Sequence, residues 1–92
     1  MRVAARIREK LTARFAPVRL DIVDDSARHA GHAGAGPDGE THFTVTIVSP
    51  AFAGLGRVAR QRLVYDTLAE ELAGGVHALS LTVRTPEEDR HR

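Results

Sequence analysis

The stretch 40–49, ETHFTVTIVS, alternates without a break. Phe43, Val45 and Ile47 fall on one face, and His42, Thr44 and Thr46 on the other. A period of two marks a half-buried β-strand, and a slip of one residue would turn the whole apolar set into water. The chain must therefore supply a cover for one face of this strand and a neighbour for its edge. Residues 18–23, VRLDIV, repeat the pattern, with Val18, Leu20 and Ile22 on one side and Arg19 and Asp21 on the other. Two such strands joined by a single loop favour antiparallel pairing.

The cover is predicted in two helices. Over residues 2–15, RVAARIREKLTARF, the apolar residues Val3, Ile7, Leu11 and Phe15 recur every four positions, and Pro17 stops the pattern. Residues 57–73 form the second helix, with Val58, Val64, Tyr65, Leu68 and Leu72 expected on its buried side and Gly74-Gly75 at its end. Between strand and helix, SPAFAGLG reads as a turn with about one turn of helix.

Residues 76–84, VHALSLTVR, give a third strand whose Leu79, Leu81 and Val83 share a face. His77 has their parity and is expected on the core side at the strand's start. TPEE follows: Thr85 as N-cap, Pro86 at the first helical position and Glu88 three residues on, a capping box. The expected fold class is α+β: a small three-stranded sheet with helices on one face, in the order α-β-β-α-β-(α). At 92 residues this is one domain, 1–92, with a flexible Gly/His-rich loop at 24–39 and a mobile tail at 89–92.

Function classes fall away quickly. The chain has no cysteine, so it cannot by itself hold iron–sulfur or zinc through thiolates. No apolar run approaches the ~20 residues that span a bilayer, and the first fifteen residues are charged throughout, so the expectation is a cytoplasmic protein with no membrane contact. A formal net charge of +1 is too balanced to imply a polyanion partner by itself. No serine sits in an elbow motif, and no nucleophile–base–orienter set can be assembled, so the chain is expected not to be an enzyme.

The loop holds His29 and His32 in a His-x-x-His spacing. Histidines in loops are commonly surface residues, and this pair alone is a weak metal signal. His77 follows a Gly-Gly turn from which a side chain reaches solvent. His42 reads as an ordinary polar position on a strand's outer face. Two or three imidazoles without cysteine or carboxylates do not close a tetrahedral site, so a metal held here would keep positions open for water or another molecule's ligands. Arg57, Arg60 and Arg62 suggest nucleic acid, but their helical angles spread over more than half the circumference, as on a solvated helix.

Taken together, Asp24–Ser26 with the histidine loop, ETHF at 40–43, VS..F.G at 48–54, R.RLVY..L.EEL at 60–72, VHAL at 76–79 and TP.E at 85–88 resemble the BolA family over nearly the whole chain. The resemblance implies a class II KH-like fold. It also implies a partner, a monothiol glutaredoxin of the Cys-Gly-Phe-Ser type, with which family members share a [2Fe–2S] cluster. The glutaredoxin and its bound glutathione give thiolates. The BolA-like chain gives a histidine near its C-terminal end, which maps onto His77, and a loop ligand, which maps onto His29 or His32.

Such ligation raises the reduction potential relative to all-thiolate clusters and couples it to pH, because a ligating nitrogen must be unprotonated. The apo chain is expected as a monomer or weak homodimer. Some family members are described as DNA-binding regulators, for which Arg57, Arg60 and Arg62 would be the contacts; a stress-response factor acting only by protein contacts is a third reading. Two departures stand out. Gln61 replaces the histidine of the family's frequent Arg-His-Arg, and Asp89 stands where an aromatic commonly follows TP.E and would anchor the last helix.

Overall fold

The computed structural model describes residues 2–25 and 42–90. Its elements are α1 (Arg2–Phe15), β1 (Arg19–Asp24), β2 (His42–Val48), a 3₁₀ turn (Pro50–Phe52), α2 (Arg57–Thr67), α3 (Ala69–Ala73), β3 (Ala78–Arg84) and α4 (Pro86–Arg90). The sheet runs β1-β2-β3, with β1 antiparallel and β3 parallel to the central β2. The parallel pair needs a crossover, which α2 and α3 provide. Asp24, expected in the loop, is the last residue of β1, and residues 26–39 of that loop lie outside the described residues.

The apolar face of β2 is buried as its alternation demands. Phe43, Val45 and Ile47 are joined in the core by Ile7, Leu11 and Phe15 of α1, Val64 and Leu68 across the α2–α3 segment, Phe52 and Val76. Each large apolar side chain so buried contributes about 1.5–3 kcal/mol. Leu20 and Ile22 of β1 and Leu79, Leu81 and Val83 of β3 flank this core, half-buried. Val18, which precedes β1 and donates its N–H to Val48 O (2.8 Å), has an exposed side chain, contrary to its parity.

The second helix is divided. Leu68, with φ −103° and ψ 18°, separates α2 from α3. The Thr67 hydroxyl donates to Leu63 O at 2.7 Å, a back-bond to the preceding turn that bends helices. The buried face also differs from expectation. Val58 is 63% exposed and Tyr65 is exposed, whereas Leu63 packs against the core. Glu71 is buried on this face, where Lys10 Nζ (2.9 Å) and Arg6 Nε (3.4 Å) neutralise it and tie α3 to α1.

One end of the sheet is closely fastened. Ser49, fully buried, donates its hydroxyl to Phe15 O (2.6 Å) and accepts from Ala51 N–H (3.0 Å). It thereby satisfies the C-terminal turn of α1 and caps the 3₁₀ turn, whose Phe52 ring lies 4.9 Å from that of Phe15. The capping box of α4 is reciprocal: Thr85 N–H donates to Glu88 Oε1 (2.9 Å), and Glu88 N–H donates to Thr85 Oγ1 (3.2 Å). Where an aromatic anchor is missing, charge takes over. Asp89 accepts from Arg19 Nη1 at 3.0 and 3.1 Å and lies 3.7 Å from Arg84. Of the expected tail, Asp89 and Arg90 therefore belong to α4, while His91 and Arg92 lie outside the described residues.

Candidate functional site

The opposite end of the sheet gathers the C-terminus of β1 and the N-termini of β2 and β3. Gly74 and Gly75 prepare it. Gly74 N–H closes the helix on Glu70 O and Glu71 O, and Gly75, at φ +134°, turns the chain in a conformation that L side chains rarely adopt. Val76 then dips into the core, and β3 begins at Ala78. His77 lies between them and is exposed. It is not on the core side as parity suggested: Val76 takes that place, and the strand's alternation starts one residue after His77.

On the neighbouring strand, His42 stands opposite Ala78 in the parallel register. The His42 and His77 rings lie 6.2 Å apart between centroids, tilted by 32°. Sequence spacing marks His42 only as an ordinary outer-face residue. The signal that identifies it is the register, because the first residue of β2 meets the first residue of β3. Beside the pair, a shallow groove of about 450 Å3 runs over Asp25, His42, Thr44, Ala78 and Ser80. Asp25 fixes its rim by donating N–H to His42 O (2.7 Å) and accepting a hydrogen bond from the Thr44 hydroxyl.

His29 and His32 lie outside the described residues. The described ends of their segment, Asp25 and His42, are joined by that backbone hydrogen bond at the same end of the sheet as His77. His29 is four residues past Asp25, a span of at most ~14 Å of extended chain.

The arginines are placed elsewhere and apart. Arg60 is committed to the fold: its side chain is 13% exposed, Nε donates to Leu55 O (2.9 Å), and Nη1 and Nη2 fork Glu88 at 2.6 and 3.1 Å. That fork, with help from Thr85 N–H, lowers the Glu88 pKa from 4.5 to about 2. Arg57 and Arg62 are exposed. Arg57 borders a second groove of about 510 Å3 with Arg60, Gln61 and Arg84, so Gln61 occupies a half-buried groove wall.

Toward a [2Fe–2S] cluster, this end of the fold offers imidazole donors, of which His77 is exposed. Imidazole is an accepted iron ligand. Among the described residues no group of three His, Cys, Asp or Glu side chains is poised for a metal ion. By donor chemistry, an exposed imidazole is a ligand that such a cluster accepts.

A small α+β domain with a mixed three-stranded sheet and a histidine corner is the class that these features define. The model of the BolA-like protein family matches residues 11–88, and the chain belongs to that family. It is 54% identical over 87 residues to "Protein BOLA1, chloroplastic" of Arabidopsis thaliana, covering 92% of this chain and 54% of the relative. The solved structure of BolA1 from the same plant superposes with a TM-score of 0.83 at 50% identity, covering 94% of each chain. "SufE-like protein 1, chloroplastic/mitochondrial" of Arabidopsis thaliana is 54% identical over 87 residues, 90% of this chain and 24% of the relative. The Escherichia coli "DNA-binding transcriptional regulator BolA" is 48% identical over 88 residues, 96% of this chain and 80% of the relative. The chain thus spans about a quarter and about half of the two plant relatives. Among the described residues no helix is long and apolar enough to cross a membrane.

Proposed function

We propose that this chain is a non-catalytic BolA-type adaptor that binds a monothiol glutaredoxin and contributes His77, with His29 or His32, to a shared [2Fe–2S] cluster. The observation that carries this reading is the exposed His77 at the end of the sheet where the Asp25–His42 hydrogen bond closes the base of the histidine-bearing segment. The cluster, when bound, supplies one-electron and transfer chemistry for iron–sulfur trafficking or iron sensing. The chain's own part is to present nitrogen donors on a rigid support. Gly75 turns the chain ahead of His77, Val76 pins the turn to the core, and the ladder to β2 fixes Ala78 behind it.

The test is reconstitution with a monothiol glutaredoxin and glutathione, read by visible circular dichroism and co-purification. A histidine-perturbed spectrum is expected with the unaltered chain. Retention of the same spectrum and complex by His77→Ala refutes the site.

A second function, DNA binding, is favoured by the name of the Escherichia coli relative. Here Arg57 and Arg62 are exposed while Arg60 is held by Glu88, so the three do not act as one stripe. A gel shift that stays sequence-selective at ~200 mM salt would support it, because non-specific phosphate contacts fade steeply there.

A further inference from the structure

We infer that His42 and His77 form a two-imidazole site for one borderline divalent cation of the zinc class, with both protein donors from this chain, water in the remaining positions and no ligand from a partner. Two imidazoles on one ion, each bonded at about 2.0–2.1 Å, place their ring centres roughly 5–6 Å apart. The observed 6.2 Å is within a small side-chain rotation of that spacing, and His77, being exposed, has the room to rotate.

The two donors differ usefully. His42 is half-buried on the first residue of the central strand, held on one side by its backbone bond to Asp25 and on the other by the register with Ala78. Donors on strands hold their geometry better than donors on loops. His77 brings the adjustable ring. Nitrogen donors select zinc, nickel, cobalt or copper over magnesium and calcium. With two protein donors, water fills the remaining positions, so affinity is modest and the ion exchangeable. His42 is thereby a ligand in its own right, a role that its place on an outer strand face did not announce.

The site needs no glutaredoxin, which keeps its test independent of the proposed function. Zinc titration of the untagged full chain, followed by calorimetry and by the histidine ring signals in NMR, should show one ion per chain and perturb His42 and His77. His42→Ala, His42→Gln and His77→Ala should each weaken binding at least tenfold with melting curves retained. A chain carrying both His29→Ala and His32→Ala should bind within about twofold of the unaltered chain. Unchanged zinc affinity in both His42 variants, equal loss in the loop variant, or absence of binding overturns the inference. If His77→Ala abolishes the glutaredoxin complex while the His42 variants keep their zinc affinity, this inference falls and the proposed function stands. If the His42 variants lose zinc while His77→Ala keeps the complex, the reverse holds.

Discussion

The two ends of the sheet are built on opposite terms. At the Ser49 end the strand termini are tied: Ser49 to Phe15, Phe52 onto Phe15, Glu88 to Arg60, Asp89 to Arg19. At the His77 end the two histidines are exposed and half-buried, and a groove lies open between β2 and β3. The difference separates what keeps the chain folded from what it presents. The motif VS..F.G belongs to the first group, with Ser49 and Phe52 buried and Gly54 at a positive φ of 79°. The motif VHAL begins the second.

That division can be broken by substitution. The largest effect is expected from Phe52→Ala, which empties a fully buried ring site and should cost about 3–5 kcal/mol in urea unfolding. Ser49→Ala comes next: it leaves Phe15 O and Ala51 N–H without their partner, at about 1–3 kcal/mol. Glu88→Gln is smaller and shows itself through pH. Because folding depresses the Glu88 pKa to about 2, its ion pair adds stability above pH 4.5 and loses it as pH falls from there toward 2. Acid unfolding of Glu88→Gln should lack that component. At the other end His77→Ala should change stability by no more than about 0.5 kcal/mol, as exposed substitutions do, while removing the cluster complex. A large loss of stability from His77→Ala would erase the distinction between the ends.

Periodicity made the fastened end largely legible. The four-residue apolar spacing of α1, the alternation of β2 and the capping box at Thr85–Glu88 each depend on local spacing and appear as expected. What escaped depends on contacts between distant residues. Val58 and Leu63 exchanged roles because the burial of a short helix is decided by how it lies on the sheet, not by its own sequence pattern. Asp89 became an anchor only because Arg19 and Arg84 flank Val48 across three strands. At the histidine end, His77 was visible through the Gly-Gly turn, whereas His42 depended on a strand register that no single segment reveals.

The parallel pairing of β2 with β3 has a temporal consequence. The antiparallel β1–β2 pair is complete once residue 48 has been made, but His42 gains His77 as a neighbour only after the α2–α3 crossover has returned the chain to the sheet. The histidine corner therefore depends on a contact between residues 35 positions apart, whose loop-closure cost is met only when the crossover docks. A divalent ion gripping both rings would act as a latch on the final strand, favouring the docked state by mass action.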